Sequence, residues 1–205
     1  MTDIERRLAE ELPAAAFDRE AFAVALAARA ADASMVDVAY ASVDSPLGRL
    51  TVFVSPRGLL RVQYQDEPLD ATLQEVADRI SPRVLEAPRR TDEVRHELDD
   101  YFEGRRRDFS VPVDWRLVRG FATAVLRATA AVPFGALSTY RDVAAAAGSP
   151  NAYRAAGNAL GSNPVPIVVP CHRIVHADGS LGGYTGGLAR KEYLLELEGS
   201  LLARR

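Results

Sequence analysis

A segment with three prolines, residues 163–175, constrains the fold more than any other part of the chain. It reads Asn-Pro-Val-Pro-Ile-Val-Val-Pro-Cys-His-Arg-Ile-Val. Each proline fixes its own φ angle and pushes the residue before it towards extended geometry, so a helix is not expected here. The apolar run Ile167, Val168 and Val169 predicts a short buried strand between the prolines. We therefore expect a stiff, extended segment that leads into Cys171.

Cys171 is the only cysteine among the 205 residues. A lone cysteine in a soluble protein is more often a small buried apolar residue than a nucleophile. Here His172 and Arg173 follow it directly, and cationic neighbours favour the thiolate, which is the nucleophilic form. The arrangement is typical of a reactive cysteine, with a purely structural cysteine as the alternative.

Composition excludes several other kinds of site. One cysteine permits no internal disulfide, and three scattered histidines, His96, His172 and His176, do not form a ligand cluster, so neither a metal nor another cofactor is expected. No apolar stretch is long enough to cross a membrane, and the N-terminus lacks the apolar core of a signal peptide. We expect a cytoplasmic, monomeric protein that does not contact membranes.

Basic residues are concentrated in the part of the chain that contains Cys171, although the net charge is −3. Residues 1–115 carry 15 Arg against 23 Asp and Glu, a net charge of −8. Residues 116–176 carry 6 Arg against the single acidic residue Asp142, a net charge of +5. A local positive field suits a phosphate-bearing partner such as DNA, with a solvated Arg-rich face as the alternative.

The periodicity of apolar residues divides the chain into three parts. Residues 1–35 are predicted to form a helical N-terminal extension. Residues 36–115 are predicted to form an α/β domain with three antiparallel strands, helices at about 69–80 and 92–103, and a closing strand at 109–113. Its first turns are Ser-Pro-Leu-Gly and Ser-Pro-Arg-Gly. Residues 116–205 then form the C-terminal domain.

A helix-turn-helix is predicted in the C-terminal domain. Ser138 is a suitable N-cap for a helix that runs through Ala147, and Gly148 is a natural stop beyond it. A second helix is expected over residues 151–160, and such a pair can present its second helix to DNA. Plain helical packing is the alternative. Small residues on the second helix favour a close approach to a groove; they are Ala155, Ala156, Gly157 and Ala159.

In residues 163–175, Asn-Pro-Val-Pro is followed by Pro-Cys-His-Arg-Ile-Val. This pair of motifs resembles the active-site signature of the O6-alkylguanine-DNA alkyltransferases, and the likeness extends from Tyr140 to Glu198. The resemblance implies an α+β fold. In that family a small mixed sheet with helices, similar to ribonuclease H, precedes a mostly helical domain that holds a helix-turn-helix and the active-site cysteine. It also implies transfer of an alkyl group from DNA to Cys171, once per protein molecule.

The resemblance implies roles residue by residue. Cys171 would be the nucleophile, His172 its base through a bridging water, and Glu198 the acid that orients His172. Asn163 would shape the turn before the active-site segment. Arg154 would be the residue whose side chain enters the base stack of the DNA at the place that the flipped nucleotide has left. The other implied positions are Tyr140, Val169, Tyr184 and Thr185 for the substrate, and Ser138, Tyr153, Ala155 and Gly157 for the minor groove of DNA.

Two positions depart from the family pattern. The helix that starts at Phe121 lacks the glutamine and tryptophan that relatives often carry, and Thr185 stands where relatives frequently have serine, so its methyl group narrows the pocket. The expected substrate is O6-alkylguanine in double-stranded DNA, with O4-alkylthymine as a second lesion. A Cys-His hydrolase and a non-catalytic reader of alkylated DNA are the alternatives.

Overall fold

A four-stranded sheet forms the N-terminal unit of the computed structural model, which describes residues 36–200. Its strand order is β3-β2-β1-β4. Strands β1 and β3 each pair with β2 in antiparallel orientation, and β4 pairs with β1 in parallel orientation. The strands are β1 (Val38–Val43), β2 (Leu50–Ser55), β3 (Gly58–Tyr64) and β4 (Val84–Glu86). The predicted three-stranded meander is confirmed, whereas the helical extension predicted for residues 1–35 lies outside the described residues.

The closing strand predicted at residues 109–113 is wrong. Only an isolated parallel bridge joins Val113 to Leu59. The amides of Ser110 and Val111 donate to the carboxylate of Glu97, at 3.0 and 3.3 Å, instead of to a neighbouring strand. The fourth strand is β4, which is too short at three residues to give a readable alternation.

Two helices cover the N-terminal sheet, close to their predicted bounds. Helix α1 is Leu69–Arg79 and helix α2 is Asp92–Phe102. Helix α2 buries Val94, Leu98 and Tyr101. Tyr101 lies within an aromatic cluster, with ring centroids 5.4, 5.3 and 6.2 Å from its own; the other members are Phe102, Phe109 and Phe134.

The C-terminal unit is mostly helical, as predicted. Its helices are α3 (Phe121–Ala130), α4 (Tyr140–Ala146), α5 (Tyr153–Gly161) and α6 (Leu188–Leu197). Strands β5 (Ser138–Thr139) and β6 (Ile174–Val175) pair in parallel orientation and form a separate two-stranded sheet.

The helix pair α4–α5 has the expected order, but its first cap differs by one residue. Thr139, and not Ser138, is the N-cap, because its side chain accepts from the Asp142 amide while Asp142 accepts from the Thr139 amide. This reciprocal pair is a capping box. Gly148 follows α4 with a φ of 84°, in agreement with its predicted role as the stop.

The strand predicted for residues 167–169 is a turn. The amide of Val169 donates to the carbonyl of Val165 at 2.9 Å, and Ile167 has a φ of 75°. Asn163 stabilises this turn, because its side chain accepts from the Val165 amide at 3.1 Å and donates to the Val169 carbonyl at 2.9 Å. These local bonds replace the ladder that a strand would need, and a 3-10 turn follows at Cys171–Arg173.

The two units share one apolar core and a backbone contact. Buried residues of β2, β3 and α2 belong to the same cluster as those of α3, α5 and α6. The amide of Val62 in β3 donates to the carbonyl of Pro164 at 2.8 Å. The segment that leads into Cys171 is thereby attached directly to the N-terminal sheet.

Gly58 provides a test of the contact between β3 and the segment that ends the N-terminal unit. It has a φ of +124°, and a Cβ atom there would lie 2.0 Å from the carbonyl oxygen of Pro112. Gly58→Ala should therefore lower the free energy of unfolding by about 3 kcal/mol or more, measured by urea denaturation. Gly104→Ala is the matched control, because Gly104 has a φ of +72° with nothing within 4 Å, and should cost about 1 kcal/mol. Equal losses in both variants would contradict a close packing role for Gly58.

Candidate functional site

Cys171 lies at the wall of a cavity of about 550 Å³ in the C-terminal unit. The residue is 5% exposed and sits in the first position of the 3-10 turn. The side-chain amide of Asn163 donates to its sulfur at 3.2 Å. Asn163 therefore fixes both the turn before the cysteine and the thiol itself. The cavity is lined by Tyr140, Tyr153, Arg154, Gly157, Leu160, Gly161, Cys171, His176, Gly183, Tyr184 and Thr185.

The surroundings of Cys171 favour the thiol and not the thiolate. Burial raises its pKa to about 11, although the hydrogen bond from Asn163 and the charge of Lys191 act in the opposite direction. The expectation that His172 and Arg173 directly favour the thiolate is wrong, because both side chains are bonded to Glu198. A reaction at Cys171 therefore requires a base that removes its proton.

His172 is a buried neutral imidazole with one nitrogen available. Its Nε2 lies 2.9 Å from Oε1 of Glu198. Burial lowers the pKa of His172, even though Glu198 acts to raise it. An ionised carboxylate can only accept, so Nε2 must carry the hydrogen and Nδ1 the lone pair. Nδ1 has no hydrogen-bond partner among residues 36–200, which leaves it free to accept a proton.

Glu198 is a buried carboxylate with donors from several elements. Arg173 donates to both of its oxygens at 2.8 Å, and Tyr101 donates to Oε1 at 2.7 Å. The amide of Gly135 approaches Oε2 at 3.3 Å. Burial alone would raise the pKa of Glu198, but the hydrogen bonds from His172 and Arg173 outweigh it and lower the pKa to about 2. Glu198 is thus ionised at neutral pH.

Arg173 and Tyr101 were not identified as site residues from the sequence. Arg173 stands next to His172, and an arginine beside a candidate base was a usable signal. Tyr101 gives no local signal, because it lies 97 residues before Glu198 in the chain.

Lys191 is a third residue that the sequence analysis missed. It is fully buried in α6, and its ammonium group donates to the carbonyl of Ile174 at 2.6 Å and to the carbonyl of Leu181. Burial lowers its pKa to about 8, and Cys171 acts to raise it. Lys191 thereby connects β6 beyond the cysteine with the loop that leads to Tyr184 and Thr185.

Two of the expected substrate residues, Tyr140 and Tyr184, line the cavity. Burial raises the pKa of Tyr140, whose ring lies 5.0 Å from that of His176. Tyr184 shares a hydrogen bond of 2.8 Å with Tyr64 of β3, and burial raises its pKa as well. Both phenols therefore keep their protons near neutral pH.

Thr185 and Val169 lie less directly at the cavity. Thr185 lines it, but its hydroxyl donates to the carbonyl of Gly161 at 2.8 Å. Val169 is fully buried and does not line the cavity. Its backbone carbonyl accepts from Asn163, so its contact with the site is made through the main chain.

The rim of the cavity carries two arginines beside an exposed aromatic ring. Tyr153 is 40% exposed, and the guanidinium carbons of Arg141 and Arg154 lie 5.7 and 5.8 Å from its ring centroid. Neither arginine forms an ion pair with any residue in the range 36–200. Arg154 and Gly157 line the cavity; Ala155 is exposed on the same helix, and Ser138 is half-buried in β5.

Two other kinds of feature, a metal site and a membrane-spanning helix, are absent from the described part of the chain. No group of three His, Cys, Asp or Glu side chains within residues 36–200 could hold a metal ion. No helix in that range is long and apolar enough to cross a membrane.

Two family models match consecutive parts of the chain. The ribonuclease-like domain of 6-O-methylguanine DNA methyltransferase matches residues 38–115. The DNA-binding domain of the same family matches residues 120–200.

Curated relatives and solved structures agree with these models. The inducible methylated-DNA–protein-cysteine methyltransferase of Bacillus subtilis is 38% identical, over 69% of this chain and 79% of that protein. The human protein of the same name is 36% identical, over 80% of this chain and 81% of its own length. The structure of Mycobacterium tuberculosis OGT in complex with DNA superposes with a TM-score of 0.67, at 35% identity, over 79% of this chain and 93% of that one. The chain belongs to the methylated-DNA–protein-cysteine methyltransferase family.

Proposed function

We propose that this protein repairs DNA by transferring the alkyl group of O6-alkylguanine to the sulfur of Cys171. The observation that carries the proposal is the position of Cys171 on the cavity wall, next to a neutral histidine that a buried carboxylate holds in one tautomer. A non-catalytic DNA reader would have no use for this base. The names of the relatives support the same reaction class.

The first step is removal of the thiol proton. Cys171 and His172 are adjacent in a 3-10 turn, and Nδ1 of His172 is the available acceptor. The proton passes from sulfur to Nδ1 through a bridging water, and Glu198 stabilises the imidazolium that forms. The thiolate and the Glu198 carboxylate are then the two buried anions, and they face the buried positive charges of the imidazolium, Arg173 and Lys191.

The second step is a single displacement at the alkyl carbon. The thiolate forms the new carbon–sulfur bond while the bond between that carbon and O6 breaks, and the electron pair leaves with the guanine. Tyr140 donates its hydroxyl proton towards a ring nitrogen of the leaving base, which offsets the developing negative charge. The product is a thioether, which has no good leaving group, so each molecule reacts once. The same displacement would accept O4-alkylthymine.

Binding to DNA would use the pair α4–α5. A target base inside a duplex cannot reach Cys171 in a cavity, so the nucleotide must rotate out of the stack. Arg154 at the rim would fill the space it leaves, held beside Tyr153. The small residues Ala155 and Gly157 allow α5 to approach the minor groove closely, with Ser138 near the first helix. The proposed binding partner is therefore double-stranded DNA that contains an O6-alkylguanine.

Substitution of the nucleophile tests the reaction. Cys171→Ser should abolish transfer, because a serine hydroxyl is far less acidic than a thiol and His172 cannot ionise it. Binding to a duplex that contains O6-methylguanine should persist, because the cavity and α5 are unchanged. Intact-protein mass spectrometry after incubation should find one added methyl on Cys171 in the wild type and none in the variant. A methylated serine variant, or an unmodified wild type at full DNA occupancy, would exclude this reaction.

Substitution of Arg154 tests its role in base flipping. If Arg154 replaces the departed base, Arg154→Ala and Arg154→Lys should both react at least 10-fold more slowly with alkylated duplex DNA, since lysine lacks the planar group. Reaction with the free alkylated base should stay close to the wild-type rate, because no flipping is needed.

Arg141→Ala is the matched control for charge, since Arg141 contacts the same tyrosine ring but does not line the cavity. It should weaken DNA binding in a salt-dependent manner and leave the reaction of the bound complex unchanged. Equal defects of the Arg154 variants on duplex and on free base would remove Arg154 from the flipping step.

A further inference from the structure

Tyr101 brings the N-terminal unit into contact with the carboxylate of Glu198. It lies in α2, is fully buried, and donates its hydroxyl to Oε1 of Glu198 at 2.7 Å. The same oxygen receives Nε2 of His172 at 2.9 Å and a guanidinium nitrogen of Arg173 at 2.8 Å. Three donors therefore compete for one carboxylate oxygen.

The direction of the Tyr101 hydroxyl is fixed by packing. Its ring is surrounded by Phe102, Phe109 and Phe134, with centroid separations of 5.3–6.2 Å. Burial, followed by the negative charge of Glu198, raises the pKa of Tyr101 well above its usual value. The phenol therefore remains protonated, and its proton is directed at Glu198 at any pH the protein tolerates.

We propose that Tyr101 is a positioning residue for alkyl transfer, which acts through Glu198 to set the proton affinity of His172. This proposal rests on the proposed function. The phenol withdraws part of the negative charge of Oε1, so the carboxylate stabilises the imidazolium less than it otherwise would. It also prevents the carboxylate from rotating away from the histidine.

The other groups around His172 do not depend on Tyr101. Arg173 donates to both oxygens of Glu198, and Lys191 acts on His172 through its charge from α6. The ring of Tyr184 meets His172 edge to face at 6.5 Å. Each keeps its contacts if only the phenol oxygen is removed, so the change reports on Tyr101 alone.

The sign of the effect follows from the competition. Without the phenol, Oε1 becomes a stronger acceptor for Nε2 of His172, and the imidazolium is stabilised. Since transfer requires the neutral histidine, the acidic limb of the rate profile should move to higher pH. The loss of one hydrogen bond to a charged group predicts a displacement of about half a pH unit to one pH unit.

The experiment compares Tyr101→Phe with the wild type and with Phe109→Leu. The control variant loses packing against the same ring, 5.3 Å away, but keeps the hydroxyl. Single-turnover transfer from the free alkylated base is measured against pH, which avoids DNA binding. We expect the acidic midpoint to rise in Tyr101→Phe and to stay unchanged in Phe109→Leu, although the control unfolds at a lower temperature.

A second readout does not require any transfer activity. Nitrogen-15 NMR of the three histidines gives the pKa and tautomer of His172 directly. The pKa of His172 should rise in Tyr101→Phe and not in Phe109→Leu. An unchanged pKa in folded Tyr101→Phe, or an equal rise in both variants, would overturn the proposal. If the wild type transferred no alkyl group, the proposed function would fail, while the histidine titration would still decide the role of Tyr101.

Discussion

The buried carboxylate of Glu198 is the interaction on which the site depends. Burying a carboxylate without hydrogen-bond partners would destabilise the folded state by several kcal/mol. The fold is therefore stable only when the donors around Glu198 stay in place. Its donors come from the turn at residues 171–173, from α2 and from the backbone at Gly135. Arg173 also donates to the carbonyl of Val132 at 2.5 Å, which joins the end of α3 to the same centre. One ion therefore determines where four separate parts of the chain meet.

This arrangement keeps the resting site uncharged at the two groups that are proposed to react, the thiol of Cys171 and the imidazole of His172. Burial raises the pKa of Cys171 to about 11 and lowers that of His172, so thiol and imidazole are both neutral near pH 7. A buried thiol in this state is poorly reactive towards electrophiles and oxidants that diffuse in. In the proposed reaction, Glu198 would stabilise the imidazolium and Lys191 the thiolate when the proton moves from sulfur to His172. Under that proposal, reactivity would depend on substrate binding in the cavity and not on exposure of the cysteine.

The sequence predicted those features that depend on local chemistry. Gly148 follows α4 as the predicted stop, and the turn glycines Gly48 and Gly58 both have positive φ angles. The failures have local causes as well. An apolar run between prolines is compatible with a strand or with a turn, and the amide of Asn163 decided in favour of the turn. Contacts such as Tyr101 with Glu198 are made by the tertiary fold, and no pattern within a short window can reveal them.

The N-terminal unit also packs against the loop that carries Tyr184 and Thr185. Gly186 is buried against Tyr64 and Tyr184, where a Cβ atom would lie 2.7 and 2.9 Å from the two rings. Arg190 lies 4.3 Å above the ring of Tyr64 and forms an ion pair of 2.8 Å with Asp66, which fixes the start of α6 to the end of β3. The backbone at Gly186 is therefore packed against an aromatic ring from each unit. If the cavity holds the alkyl group as proposed, its width beside Cys171 depends on the interface between the units as well as on the residues that line it, and packing changes around Tyr64 should alter which alkyl groups are accepted.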